Sequence, residues 1–321
     1  MRLRERIKLF LKGMAMGAAD VVPGVSGGTI AFISGIYEEL LGSIRNVGPD
    51  TVKVLLKDGV KAAWIQVNGN FLATLVAGII TSVLLLVRPI TWLLEHQPVL
   101  IWSFFFGLIV ASVWLAGKLV KRWSIGPFIG ALIGAGAAFY VGVAQAGTGP
   151  ESLLFYFFAG ALAICAMILP GISGSFILLL LGAYGPVMTA IKGFDLVIIG
   201  LFGLGCVVGL LSFSRVLKWM FERHHDLTVA TLTGFLLGSL YIVWPWKQVL
   251  SVRTVHPGAA DEHLVPFLTG NVWPWAYGTP GEMELLLGIG ERSPQLLGAV
   301  LLAALGAVLL VLLDRFGPEN A

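Results

Sequence analysis

The sequence predicts an all-α polytopic membrane protein built as an inverted-topology repeat, and three observations carry that prediction. The first is composition. Of 321 residues, 57% are hydrophobic and 12% charged, with a mean hydropathy of +0.89. A soluble domain carries about 25% charged residues. The second is the length of the apolar runs, close to the roughly 20 residues that a bilayer-spanning helix needs and unlike the alternating strands of a barrel. The third is a polar turn that occurs twice, as Pro23-Gly24-Val25-Ser26-Gly27 and as Pro170-Gly171-Ile172-Ser173-Gly174.

The chain opens on a pair of short helices, about 7–19 and 29–44, joined by Asp20-Val-Val-Pro-Gly-Val-Ser-Gly-Gly-Thr29. The basic start reads as part of the fold rather than as a leader, because Lys12 interrupts the apolar core of that segment. Helices this short suit a hairpin that turns inside the membrane. Non-helical backbone is tolerated at that depth only where protein or a water-filled cavity surrounds it. Residues 46–66 follow, with Lys53, Lys57 and Lys61 at four-residue spacing and Val54, Leu55, Val60 and Trp64 between them. This pattern predicts an amphipathic helix on a membrane surface. Apolar segments at 70–87, 98–117 and 124–144 complete the first half.

The second half repeats the plan. With Pro23 set against Pro170, residues 13–45 and 160–192 share ten identities, among them Gly13/Gly160, Ser26/Ser173, Gly27/Gly174, Gly35/Gly182 and Tyr37/Tyr184. A second block aligns Gly78 with Gly205, Arg88 with Arg215, Trp92 with Trp219, Glu95 with Glu222, Gly107 with Gly234 and Ser112 with Ser239. Segments 151–169 and 176–191 form the second motif pair, which is longer than the first and long enough to span. Segments 196–213, 227–246 and 293–313 follow. Residues 247–292 are a polar insertion with Trp273, Trp275 and Tyr277, read as an extramembrane cap.

The units are therefore residues 1–147 and 148–321. Whether each motif pair is re-entrant or crosses as two spans, the crossings per half are odd, so the halves must be inverted relative to one another. With the N-terminus inside, 16 of the 21 Lys and Arg fall on the inner side. Both termini are then cytoplasmic, in the inner membrane.

An inverted pair brings the two turns together near the bilayer centre. Ser26, Gly27, Gly28 and Thr29 open one helix; Ser173, Gly174 and Ser175 open another. Helix starts present unpaired N–H groups and partial positive charge, glycine admits a guest close to the backbone, and hydroxyls add donors. The expected guest is an anion, phosphate above all. The plainer reading is a tight turn with serine N-caps and glycines that serve helix packing. Asp20 is a carboxylate at membrane depth, either a proton-coupling group or an anchor for the turn's amides. Glu38 is a second coupling candidate, with the cytoplasmic surface as its alternative place. Arg88 and Arg215, repeat-related near opposite faces, are placed to receive an anionic headgroup, or else snorkel at helix ends. Gly130, Gly134 and Gly136 suggest a lateral opening between helices. Gly-Val-Ser-Gly-Gly-Thr lacks the lysine of a nucleotide phosphate loop. No nucleophile–base set, metal cluster, cofactor motif or nucleic-acid signature stands out, which points away from an enzyme.

Gly13-x-x-x-Gly17-x-Ala19-Asp20-x-Val22-Pro23-Gly24-Val25-Ser26-Gly27-Gly28-Thr29, with its second copy Pro170 to Ser175 followed by Gly182 and Tyr184, resembles the signature of a bacterial and archaeal membrane family associated with polyprenyl-phosphate translocation. The resemblance implies that the partner is the carrier lipid undecaprenyl phosphate, returned to the inner leaflet for cell-envelope synthesis. The residues by themselves imply an anion site in an inverted repeat, and a small inorganic anion transporter or channel is the alternative.

Overall fold

The computed structural model describes residues 3–22, 25–144, 149–150, 152–255 and 263–315. It is all-α apart from one two-stranded sheet. The first half comprises α1 (Leu3–Val21), α2 (Gly27–Ile33), α3 (Tyr37–Arg45), α4 (Pro49–Gln66), α5 (Gly69–His96), α6 (Pro98–Lys118) and α7 (Ile125–Val143). The second comprises α8 (Leu153–Ile168), α9 (Gly174–Leu180), α10 (Tyr184–Lys192), α11 (Leu196–Arg223), α12 (His225–Ser239), α13 (Glu282–Leu286) and α14 (Leu296–Arg315). Strands β1 (Lys247–Val255) and β2 (His263–Asn271) lie between α12 and α13.

Helices α5, α6, α7 and α11 are long and apolar enough to cross a membrane, and Leu153–Ile168 and Leu296–Leu312 are shorter apolar helices. Together they make a multi-pass membrane protein. The outward faces of α5, α7 and α11 carry exposed Leu84, Leu132 and Val207, as helices facing lipid do.

Both motif helices break after two turns, for the same local reason. Gly35 (φ 73°) and Gly182 (φ 70°) adopt the left-handed conformation in which glycine has no Cβ penalty. Around each, the following amide reaches back to close the helix, Ile36 N–H to the Ala31 carbonyl at 3.1 Å and Ala183 N–H to the Leu178 carbonyl at 2.9 Å. Segment 176–191, read from the sequence as one apolar segment of a pair that could span, is instead two helices. α9 and α10 meet at a bend of 109°, and the seven residues of α9 reach only about 10 Å at 1.5 Å per residue.

Glycine contacts set the helix crossings. α1 packs on α5 and α8 on α11. A Cβ on Gly13 would lie 2.3 Å from the Leu75 carbonyl oxygen, and one on Gly78 would lie 2.3 Å from that of Phe10. In the other crossing, Gly160 meets the Phe202 oxygen at 2.3 Å and Gly205 the Phe157 oxygen at 2.0 Å. α7 packs on α12 and α6 on α14. There Gly134 meets the Thr231 oxygen at 2.2 Å, and Gly306 the Phe104 oxygen at 2.2 Å. The expectation that Gly130, Gly134 and Gly136 leave an opening is overturned for the first two. Gly130 abuts Leu227 and Thr231, so these glycines close α7 onto α12.

Segment 46–66 folds as α4, kinked at Gly59 (φ 83°), with Leu56, Val60 and Ile65 exposed beside its lysines. The insertion forms the antiparallel hairpin β1–β2 and α13, and its Tyr277 joins Val99, Trp246 and Ala299 in a small apolar cluster. Glu284 fastens it. This fully buried carboxylate accepts from Val249 N–H and Gly281 N–H, both at 3.1 Å, and pairs with Arg292 at 2.6 Å.

Candidate functional site

The site is built where the two turns meet. α1 ends at Val21, and the chain re-enters helix at Gly27. Pro23 and Gly24, which the sequence puts in this turn, lie outside the described residues. Ser26 is the N-cap of α2. Its backbone is extended, and its Oγ accepts from Gly28 N–H at 3.1 Å, as a serine cap should. The Asp20 carboxylate comes back from the last turn of α1 to accept from Gly27 N–H at 2.6 Å. The Thr29 amide is bonded to the Ser26 carbonyl at 2.9 Å. Two amides of the first turn of α2 are thus satisfied by Ser26 and by Asp20 of α1.

The second turn lies directly against the first. α8 ends at Ile168 because Leu169 must be extended before Pro170. Gly171 follows with φ 86°, and a Cβ there would lie 2.8 Å from the Phe235 carbonyl oxygen. Three side chains of the first half hold this backbone. Ser26 Oγ donates to the Met167 carbonyl at 2.9 Å, Thr29 Oγ1 accepts from Gly171 N–H at 2.9 Å, and Tyr37 OH donates to the Ile168 carbonyl at 3.1 Å. Ser26 is 1% exposed, Thr29 0% and Tyr37 2%. Gly28 permits the approach, since a Cβ there would lie 2.4 Å from the Ile168 oxygen. Lys12, which the sequence reading used only to set the basic start apart from a leader, donates to the Ser34 carbonyl at 2.5 Å and ties α1 to the end of α2.

The second turn is open by comparison. Ser173 is the N-cap of α9 but makes no side-chain cap bond. Its Oγ lies 2.8 Å from that of the exposed Ser175. Gly174 packs on the Ala163 carbonyl, where a Cβ would approach to 2.6 Å.

The remaining candidates sit elsewhere. Arg88 is exposed on α5, one residue before Pro89. Arg215 donates to the carbonyls of Leu211 at 2.7 Å and Val47 at 3.3 Å, and so pins α11 to the loop before α4. Glu38 is ion-paired with Lys218 at 3.7 Å and lies 3.9 Å from His225. Among the described residues no three His, Cys, Asp or Glu converge to hold a metal ion. Tyr37 is the residue that sequence reasoning noted as a repeat identity without giving it a role.

The family model described as undecaprenyl phosphate translocase-like matches residues 16–260. A polyprenyl-phosphate transporter of Vibrio cholerae is 47% identical over 314 residues, which cover 98% of this chain and 97% of that protein. A polyprenyl-phosphate transporter of Staphylococcus aureus is 32% identical over 253 residues, 73% of this chain and 85% of that protein. No solved structure matches the chain.

Proposed function

Because this chain belongs to the undecaprenyl phosphate translocase-like family, we propose that it carries a polyprenyl phosphate, specifically undecaprenyl phosphate, across the cytoplasmic membrane, with both termini cytoplasmic. The observation that carries this reading is the near full-length kinship with the Vibrio cholerae transporter. The physics agrees with it. A lipid phosphate crosses poorly unaided because its charged head must leave water. A translocase has only to shelter that head, and the chain stays in lipid.

The halves 1–147 and 148–321 are inverted repeats in this proposal, and the glycine crossings support it. Gly13 and Gly78 meet the carbonyls of Leu75 and Phe10; their aligned partners Gly160 and Gly205 meet those of Phe202 and Phe157, the aligned residues. The head passes at the paired turns of Pro23 to Thr29 and Pro170 to Ser175. The hydroxyl pair Ser173/Ser175 receives it first. Asp20 is the coupling group: its carboxylate holds the Gly27 amide, and protonation weakens that bond and frees the amide for the phosphate. Arg88 and Arg215 attract the head near opposite faces, and Glu38, ion-paired with Lys218, is the second coupling group.

Reconstitution in liposomes tests the reading. The purified protein is expected to move undecaprenyl phosphate between leaflets and to leave undecaprenol where it is. Loss of hydrogen bonds to a charged group costs about 1.5–3 kcal/mol, so Ser173→Ala/Ser175→Ala is expected to slow movement about tenfold or more. Phosphate flux in liposomes without polyprenyl lipid would instead establish the inorganic-anion reading.

A further inference from the structure

A polar cavity lies on the β-hairpin side of the second motif helix. It has a volume of about 360 Å³ and sits between the end of α7, one wall of α9 and the β-hairpin, with Phe176, Leu179, Tyr241, Lys247, Thr269 and Asn271 among its lining residues. Lys247 is the one cation among the described lining residues, and none of those residues is acidic. Its ammonium donates to the Ile242 carbonyl and lies 4.7 Å from the centre of the Trp102 ring. An ammonium has three N–H donors. One is spent on Ile242, and a carboxylate partner is absent among the described residues. Burial lowers the Lys247 pKa from 10.5 to about 8, as it does for a desolvated cation without a counter-ion.

Beside this cavity runs a trough of about 460 Å³, lined by Phe106, Leu240, Trp244 and Trp273, which shares Tyr241 and Asn271 with it. The trough is mostly apolar and aromatic. The cavity also reaches the second turn, because Phe176 directly follows Ser175. A half-buried cation lacking an anion among the described residues, an apolar trough against it and a wall shared with the motif helix together define an amphipathic guest.

We infer that the Lys247 cavity is a docking site for the phosphate-monoester head of a lipid, with the first units of its chain in the aromatic trough, occupied before the head reaches the paired turns. The inference rests on the transport reading, and in the orientation proposed above it places the site on the outer face. A phosphate head supplies the anion that Lys247 lacks, and the trough makes a lipid phosphate a better ligand than free phosphate.

Calorimetric titration of the full chain in detergent with dodecyl phosphate, inorganic phosphate and dodecanol tests this. Dodecyl phosphate is expected to bind at least tenfold more tightly than either. Lys247→Met is expected to weaken it at least tenfold and to raise KM for lipid movement while kcat stays near that of the parent. Thr269→Glu, at an exposed strand position on the cavity rim, adds a repelling charge without removing a buried group, and is expected to act in the same direction even if Lys247→Met fails to fold. Unchanged dodecyl phosphate affinity in Thr269→Glu and in folded Lys247→Met overturns the site and leaves transport standing. Equal affinities for dodecyl and inorganic phosphate overturn the lipid assignment. A parent protein that binds dodecyl phosphate but moves no polyprenyl phosphate overturns the transport reading instead.

Discussion

Ser26, Thr29 and Tyr37 all belong to the first half, and all three bond the backbone of the second turn. Their aligned positions are Ser173, Phe176 and Tyr184. Phenylalanine has no acceptor, so the Thr29 bond cannot have a mirror image, and that much was legible in the sequence. The partners of Ser26 and Tyr37 were not, because the carbonyl a hydroxyl finds depends on which backbone packs against it. Thr29→Val keeps the shape and leaves Gly171 N–H buried without a partner, which costs about 1–3 kcal/mol. A lowered melting temperature in detergent is the expected result. Gly28→Ala should do more harm than Gly27→Ala. The first meets the Ile168 backbone oxygen, whereas the second meets only the movable Asp20 carboxylate. Lys247 adds a pH dependence. Its pKa of about 8 lies below the 10.5 of an unfolded lysine, so the unfolded chain binds more protons between these values and stability rises with pH across that window. Head binding runs the other way. The ammonium is charged below about pH 8, it faces the Ile242 carbonyl and the Trp102 ring, and it has no ion-pair partner among the described residues. Dodecyl phosphate affinity is expected to fall as pH rises through that value, and the fall is expected to vanish in Lys247→Met.

Among the elements, crossing glycines can be told from idle ones by what their missing Cβ would meet. A Cβ on Gly205 would lie 2.0 Å from the Phe157 oxygen, whereas one on Gly203, two residues earlier on α11, meets nothing within 4 Å. Gly205→Leu forces α8 and α11 apart and is expected to cost about 1–3 kcal/mol or more. Gly203→Leu is expected to stay within about 0.5 kcal/mol, and thermal unfolding of the two variants reads the difference. The repeat register marked Gly78, Gly107, Gly205 and Gly234 as positions of interest. It said nothing of Gly130 and Gly134, whose spacing alone does not tell a partner helix from lipid, and they turned out to face α12. The break between α9 and α10 was hidden by unbroken hydrophobicity, and Gly182, aligned with Gly35, was its signal. The β-hairpin was illegible for another reason. Its ladder is interrupted by a register shift around Ser251 and by Pro266 on β2, so no clean alternation marks it. Glu284 makes the hairpin depend on α13. Glu284→Ala leaves the Arg292 charge without its partner and is expected to cost about 3–5 kcal/mol, seen as proteolytic opening of residues 247–292 while the helices stay protected.

For the molecule as a whole, the inverted repeat proposed above, with its unequal bonding, would make the present arrangement one member of a pair of states. In the present arrangement the first half supplies the side chains and the second supplies the backbone. Exchanging the roles of the halves gives the other arrangement. In that arrangement Ser173 Oγ would donate to the Asp20 carbonyl and Tyr184 OH to the Val21 carbonyl, the positions aligned with Met167 and Ile168. Tyr184 is half-buried here and free to take up that bond. Rocking of one repeat against the other is the usual motion of such folds, and a ligand or mutation shifts the two states only by its differential effect on them. Tyr37→Phe removes a bond made only in the present state, and Tyr184→Phe one made only in the other. A hydrogen bond of about 1 kcal/mol moves the ratio of states about fivefold. Ser175→Cys, exposed in the present arrangement and placed in a background lacking Cys165 and Cys206, reports the balance through its rate of thiol labelling. That rate is expected to fall with Tyr37→Phe, to rise with Tyr184→Phe, and to return toward the parent value when both are combined. Shifts of the same sign in the two single variants would mean that the tyrosines are packing residues and that the exchange of roles between the halves does not occur.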